Sequence, residues 1–85
     1  MCGIIGCVGR GSETLDTLVH GLSKLEYRGY DSAGVAMADE RVSLCKKSGK
    51  IADLRDALES ATLSGSVGIG HTRWSTHGPP TDANS

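Results

Sequence analysis

Two spacings of apolar residues divide this chain. Leu15, Leu18, Val19, Leu22 and Leu25 follow i, i+3, i+4, i+7 and i+10, which draws one apolar stripe along a helix from about Ser12 to about Tyr27. Ile51, Leu54, Ala57 and Leu58 share a helical face in the same way and predict a second helix. Elsewhere the period shortens. Ile4, Ile5, Cys7 and Val8, bounded by Gly3 and Gly9, read as a short buried strand, with Gly6 marking a close backbone approach. Ala33 to Ala38 is a strand of small residues. Val42 and Leu44 then alternate with Arg41, Ser43 and Cys45, the pattern of a half-exposed antiparallel partner, and Val67 to His71 supplies a fourth strand.

The punctuation agrees with this division. Gly9-Arg10-Gly11-Ser12 predicts a turn in which Ser12 caps the first helix, and Glu13 suits its first turn through the helix dipole. Gly29 ends that helix, and Arg28 to Ser32 forms a polar connection where an Arg28–Asp31 ion pair is expected and Ser32 is expected to satisfy backbone groups. Asp39-Glu40 turns the chain into a hairpin, and Ser75 to Ser85, rich in Pro and Thr without periodicity, reads as loop. Hairpin strands with helices outside make an α+β domain. Four strands and two helices leave sheet edges unpaired towards the C-terminal end, so residues 1–85 read as the front part of a domain.

Composition narrows the partners. With no Phe, one Trp and two Tyr, the apolar content is mostly Leu, Val, Ile and Ala, enough for one sheet–helix interface. Nine basic residues are interspersed with ten acidic ones, which provides no footprint for nucleic acid or an anionic membrane. No apolar run approaches the roughly 18 to 20 residues of a membrane span and no basic, then hydrophobic leader opens the chain, so cytoplasmic residence is expected. Three cysteines without a CxxC pair indicate neither a disulfide framework nor a zinc site.

Cys2 is the strongest chemical candidate. Removal of Met1 would put a thiol and a free α-amine on one residue, and an α-amine with a pKa near ~8 can take the thiol's proton. With Met1 retained, the same nitrogen is an amide and cannot act as the base. An ordinary packed thiol is the competing reading of Cys2, and packing is the expected role of Cys7 and Cys45. A second cluster, His71-Thr72-Arg73-Trp74-Ser75-Thr76-His77-Gly78, sits where the fourth strand passes into loop. Arg73 offers a fork for a carboxylate, Thr76 and His77 can add hydrogen bonds, and Trp74 supplies a wall, a set that suits a small amino acid. His71 and His77 lack a third ligand nearby, so no metal is expected, and His20 reads as solvated. The glycine-rich stretches fit no nucleotide motif.

The blocks Met1-Cys2-Gly3-Ile4-Ile5-Gly6, Leu25 to Gly34, Ser48-Gly49-Lys50-Ile51 and Gly70 to Gly78 together resemble the N-terminal glutaminase domain of the glutamine–fructose-6-phosphate transaminase (isomerising) family. The opening block alone points only to class II glutamine amidotransferases. Tyr27-Arg28-Gly29-Tyr30-Asp31 and Arg73-Trp74-Ser75-Thr76 favour the transaminases over amidophosphoribosyltransferases. The resemblance implies part of the four-layer αββα sandwich of N-terminal nucleophile hydrolases. It implies that Cys2 attacks the amide of L-glutamine, that Arg73, Thr76 and His77 hold the amino-acid end with Trp74 bordering the pocket, and that Arg28 and Asp31 support the site. It further implies fructose 6-phosphate as acceptor at a domain beyond this sequence, a homo-oligomeric whole enzyme and no cofactor. The family's oxyanion donors and its residue for the substrate amine lie past Ser85, so no useful turnover is expected of the 85 residues alone. A non-catalytic module that binds glutamine or a partner protein, and the glutaminase part of another class II amidotransferase, are the alternatives.

Overall fold

Four antiparallel strands in the order β1-β4-β2-β3 form a sheet in the computed structural model, which describes residues 2–9, 12–60, 63, 65–75, 78–83 and 85. The strands are β1 (Gly3–Val8), β2 (Ser32–Ala38), β3 (Val42–Ser48) and β4 (Val67–Arg73); the helices are α1 (Ser12–Leu25) and α2 (Ile51–Ser60). The register sets Gly3 against Thr72 across β1 and β4. It also aligns Ser48, Ser32 and Arg73 in a single row across β3, β2 and β4.

Both helices lie on one face of the sheet. Leu18 and Leu22 from the α1 stripe, and Ile51 and Leu54 from α2, pack with Ala33, Val35 and Met37 of β2 and are all but fully buried. Burial of each large aliphatic chain contributes about 1.5 to 3 kcal/mol, which makes this layer the main source of stability. Close approach is bought with small residues: a Cβ on Gly3 would stand 2.9 Å from Leu25 Cδ1 and 3.2 Å from Thr72 Oγ1. Cys7 and Cys45 pack against the same core, as expected of them, and His20 is exposed.

Several sequence expectations need correction. Helix α1 stops at Leu25 and tightens into a 3-10 turn over Glu26–Arg28, where Gly29 (φ 78°) closes it through its N–H to the Glu26 carbonyl. The third and fourth strands run on to Ser48 and Arg73, because β2 pairs with both along its whole length. Val42 and Leu44 do not face the helices. They are 72% and 59% exposed on the opposite face, with Ile4, Val8, Val67 and Ile69, while Cys45 turns inward. The reason is register: Val42 and Leu44 sit opposite Ala38 and Ala36, which in turn sit opposite Val67 and Ile69, so the uncovered face is itself apolar. Ser32 satisfies no backbone group; its Oγ is buried without a hydrogen-bond partner among the described residues. The capping role expected of the Ser12 side chain lies outside what is described.

Two residues that the sequence reading left unassigned shape the entry to α2. The Ile51 N–H donates to Tyr30 Oη at 2.6 Å, and the Lys50 N–H donates to the Asp53 carboxylate at 2.8 Å, so two of the helix's free N-terminal donors are met by side chains. Among the described residues no helix is long and apolar enough to cross a membrane.

Candidate functional site

Antiparallel pairing brings the start of β1, the start of β2, the end of β3 and the end of β4 to one end of the sheet. Cys2, Asp31, Ser48 and Arg73 therefore gather there from sequence positions far apart. Cys2 is exposed and precedes β1; the Trp74 backbone N–H donates to its Sγ at 3.3 Å. A donor aimed at sulfur restricts its rotation, and the bond strengthens as sulfur takes on negative charge.

Asp31 ties the residues on either side of Trp74 in place. Its N–H donates to the Arg73 carbonyl at 2.7 Å, its Oδ2 accepts the Ser75 N–H at 2.7 Å, and its carbonyl accepts from Gly49 at 2.8 Å. The Ser75 N–H is the main cause that lowers the Asp31 carboxyl below its usual range; the Ser75 hydroxyl acts in the same direction, burial opposes it, and Arg73 adds a smaller favourable contribution. Asp31 thus acts on the chain beside Cys2 through the backbone of Ser75. Arg28, expected to support the site with it, lies exposed on the 3-10 turn.

The Arg73 guanidinium is folded back over the loop that follows. Nη1 donates to Ser75 Oγ at 3.3 Å and to the Pro79 carbonyl at 3.5 Å, and Nη2 donates to the Gly78 carbonyl at 3.2 Å. The Trp74 ring, 47% exposed, rests over Gly29, where a Cβ would come within 2.8 Å of Cζ3. Its contribution beside Cys2 is the backbone N–H. Thr76 and His77, the other two expected ligands, lie outside the described residues.

A cavity of about 420 Å³ opens beside these groups, lined by Cys2, Ile4, Gly70, His71, Arg73 and Ser85 among others. That volume falls within the range of small-molecule sites. His71 is half-buried in its wall, and burial first, then Lys46 and Arg73, push its imidazole below the ordinary histidine value, so it stays neutral at pH 7. Thr72, the register partner of Gly3, is buried with no partner for its Oγ1 among the described residues. No group of three or more His, Cys, Asp or Glu that could hold a metal ion occurs among the described residues.

Sequence reasoning singled out Cys2, Asp31 and Arg73, which the fold brings to one end of the sheet, but missed the clasp that closes that end. Asp82 Oδ1 accepts the Ser48 N–H at 2.8 Å and the Ser48 hydroxyl at 2.9 Å, and its Oδ2 accepts Lys47 Nζ at 2.9 Å. Pro79-Pro80-Thr81-Asp82 carries a turn signal. Nothing local names β3 as the partner.

No family model matches the chain. Proteins named glutamine–fructose-6-phosphate aminotransferase [isomerizing] do match, and they cover all of it: one from Clostridium perfringens is 56% identical over 86 residues, one from Corynebacterium diphtheriae 56% over 93 residues and one from Thermus thermophilus 54% over 86 residues. The chain spans only 14 to 15% of the length of these relatives.

Proposed function

Because this chain belongs, as one segment, to the glutamine–fructose-6-phosphate aminotransferase family, we propose that it carries the nucleophile of a glutaminase that supplies ammonia for making glucosamine 6-phosphate from fructose 6-phosphate. The observation that carries the reading is the placement of Cys2 Sγ, held by the Trp74 N–H, on the wall of a cavity that Arg73 also lines.

With Met1 removed, the Cys2 α-amine takes the thiol proton while sulfur attacks the side-chain carbonyl carbon of glutamine. The carbon–nitrogen bond then breaks, and the amine returns its proton to the departing nitrogen, which leaves as ammonia. Water adds to the resulting γ-glutamyl thioester, frees the thiol and releases glutamate. Arg73, whose guanidinium is steadied by the carbonyls of Gly78 and Pro79, receives the substrate α-carboxylate. Thr76 and His77 complete the amino-acid end of the site, and Trp74, Arg28 and Asp31 hold its border.

The same reading accounts for the uncovered face of the sheet. Ile4, Val8, Val42, Leu44, Val67 and Ile69 all stand exposed on it, more apolar surface than a solvated sheet face ordinarily presents. A second sheet from the rest of the glutaminase domain packs there and gives the four-layer αββα arrangement, with residues 1–85 as its front part.

The test is to treat full-length protein with the glutamine-like electrophile 6-diazo-5-oxo-L-norleucine and map the adduct. Modification of Cys2, blocked by excess glutamine, is the expected result. Modification of Cys7 or Cys45 with Cys2 left free, or undiminished glutamine hydrolysis by a Cys2→Ser variant, would defeat the proposal.

A further inference from the structure

We propose that Asp82 is a positioning residue for the substrate-binding guanidinium: it pins residues 78–83 to the end of β3 so that the Gly78 and Pro79 carbonyls hold Arg73 in its binding orientation. The inference rests on the glutaminase reading, in which Arg73 takes the α-carboxylate of glutamine.

The geometry is that of a strap over one row of the sheet. Arg73, Ser32 and Ser48 are register partners across three adjacent strands, so Arg73 and Ser48 stand about 10 Å apart across β2. The segment that leaves β4 returns over this row. At one end its Gly78 and Pro79 carbonyls accept hydrogen bonds from Arg73; at the other, Asp82 accepts three from Lys47 and Ser48, and Lys46 Nζ donates to the Ala83 carbonyl at 2.8 Å. The stretch between the two ends is braced. The Thr81 N–H donates to the Pro79 carbonyl at 2.9 Å, the Ser85 hydroxyl donates to the Thr81 carbonyl at 2.8 Å, and Pro79 and Pro80 have fixed φ. A stiff connection passes the position of the clasp on to the carbonyls around Arg73.

The clasp persists through the pH range in which proteins work. The Ser48 N–H, then Lys47, then the Ser48 hydroxyl lower the Asp82 carboxyl to about 2, so it is ionised and accepting throughout. Both members of the Lys47–Asp82 pair are about half exposed, so the bonds to Ser48, which fix position as well as charge, carry the argument more than the ion pair does.

Full-length protein with Asp82→Ala should show a glutamine KM raised roughly two- to fivefold, the range an exposed clasp of this kind converts to, with kcat little changed. Asp82→Asn, which keeps an oxygen acceptor for Ser48, should recover part of the loss. In an Arg73→Lys background, where the fork is already gone, Asp82→Ala should add almost nothing. An unchanged KM in Asp82→Ala, a fall confined to kcat, or an undiminished effect on top of Arg73→Lys would overturn the proposal while leaving the glutaminase reading intact. Loss of the reading itself shows separately, as glutamine hydrolysis that survives Cys2→Ser, and the proposal falls with it. Adduct formation at Cys2 by saturating 6-diazo-5-oxo-L-norleucine confirms that each variant remains folded.

Discussion

Gly29→Ala tests the link between the backbone at the end of α1 and the segment that holds Cys2. Gly29 has φ 78° and ψ 141°, a region that L residues occupy only under strain of about 1 to 3 kcal/mol. The added methyl would also stand 2.8 Å from the Trp74 ring, well inside the roughly 3.5 to 4.0 Å of an ordinary carbon contact. The two costs separate. The ring is 47% exposed and can swing away, whereas the backbone angle is set by the turn itself. Far-UV circular dichroism in urea should show Gly29→Ala destabilised by about 2 to 3 kcal/mol, and by about 1 kcal/mol less in a Trp74→Ala background. Iodoacetamide alkylation of Cys2, whose Sγ accepts the Trp74 N–H, reports whether the displacement of the ring reaches its amide. Gly6→Ala is the control: Gly6 has no positive φ, and the nearest atom to an added Cβ lies 4.0 Å away, so that change should be neutral or stabilise by up to about 1 kcal/mol. A Gly29→Ala cost within about 0.5 kcal/mol of zero, or one that Trp74→Ala does not reduce, would refute the argument.

Tyr30→Phe removes the acceptor of the Ile51 N–H and should cost about 1 kcal/mol, the usual value of a lost helix cap, with faster hydrogen exchange at the Ile51 amide. Exchange no faster than in the parent would show that the cap is idle. For His71 the sign follows from burial: its folded value is below the ordinary 6.5, so as pH falls the unfolded chain takes up the proton first. Stability is therefore full above about 6.5 and declines below it, and His71→Gln should flatten that slope in urea titrations run at a series of pH values; an equal slope in both proteins would rule out His71 as its source.

Much of the fold was legible because it rests on periodicity. The stripe of α1 and the face of α2 are local patterns, and they bury against the sheet as their spacing required. The small residues of β2 marked a strand, though Ala36 and Ala38 lie on the face away from the helices and the core side is Ala33, Val35 and Met37. Strand length and facing were not legible to the same degree. The alternation of Val42 and Leu44 with Arg41, Ser43 and Cys45 marked a half-exposed strand but not which set turns inward, since inward and outward differ by a register step of one residue, which is decided by pairing with β2.

The site divides in the same way. Cys2, Asp31 and Arg73 stood out by residue type and setting, since a thiol beside a potential terminal amine and a guanidinium at a strand end have chemistry of their own. Their convergence, the Trp74 amide on sulfur, the Ser75 amide on Asp31 and the Asp82 clasp could not be read that way. Backbone N–H groups are the same at every residue, and Asp82 and Ser48 are 34 positions apart in sequence. What the chain determined unaided was which reactive groups it owns and which stretches coil or extend. Which of those groups meet was left to the antiparallel register, because hydrogen bonding between strands joins residues by their place in the sheet and not by their distance along the chain.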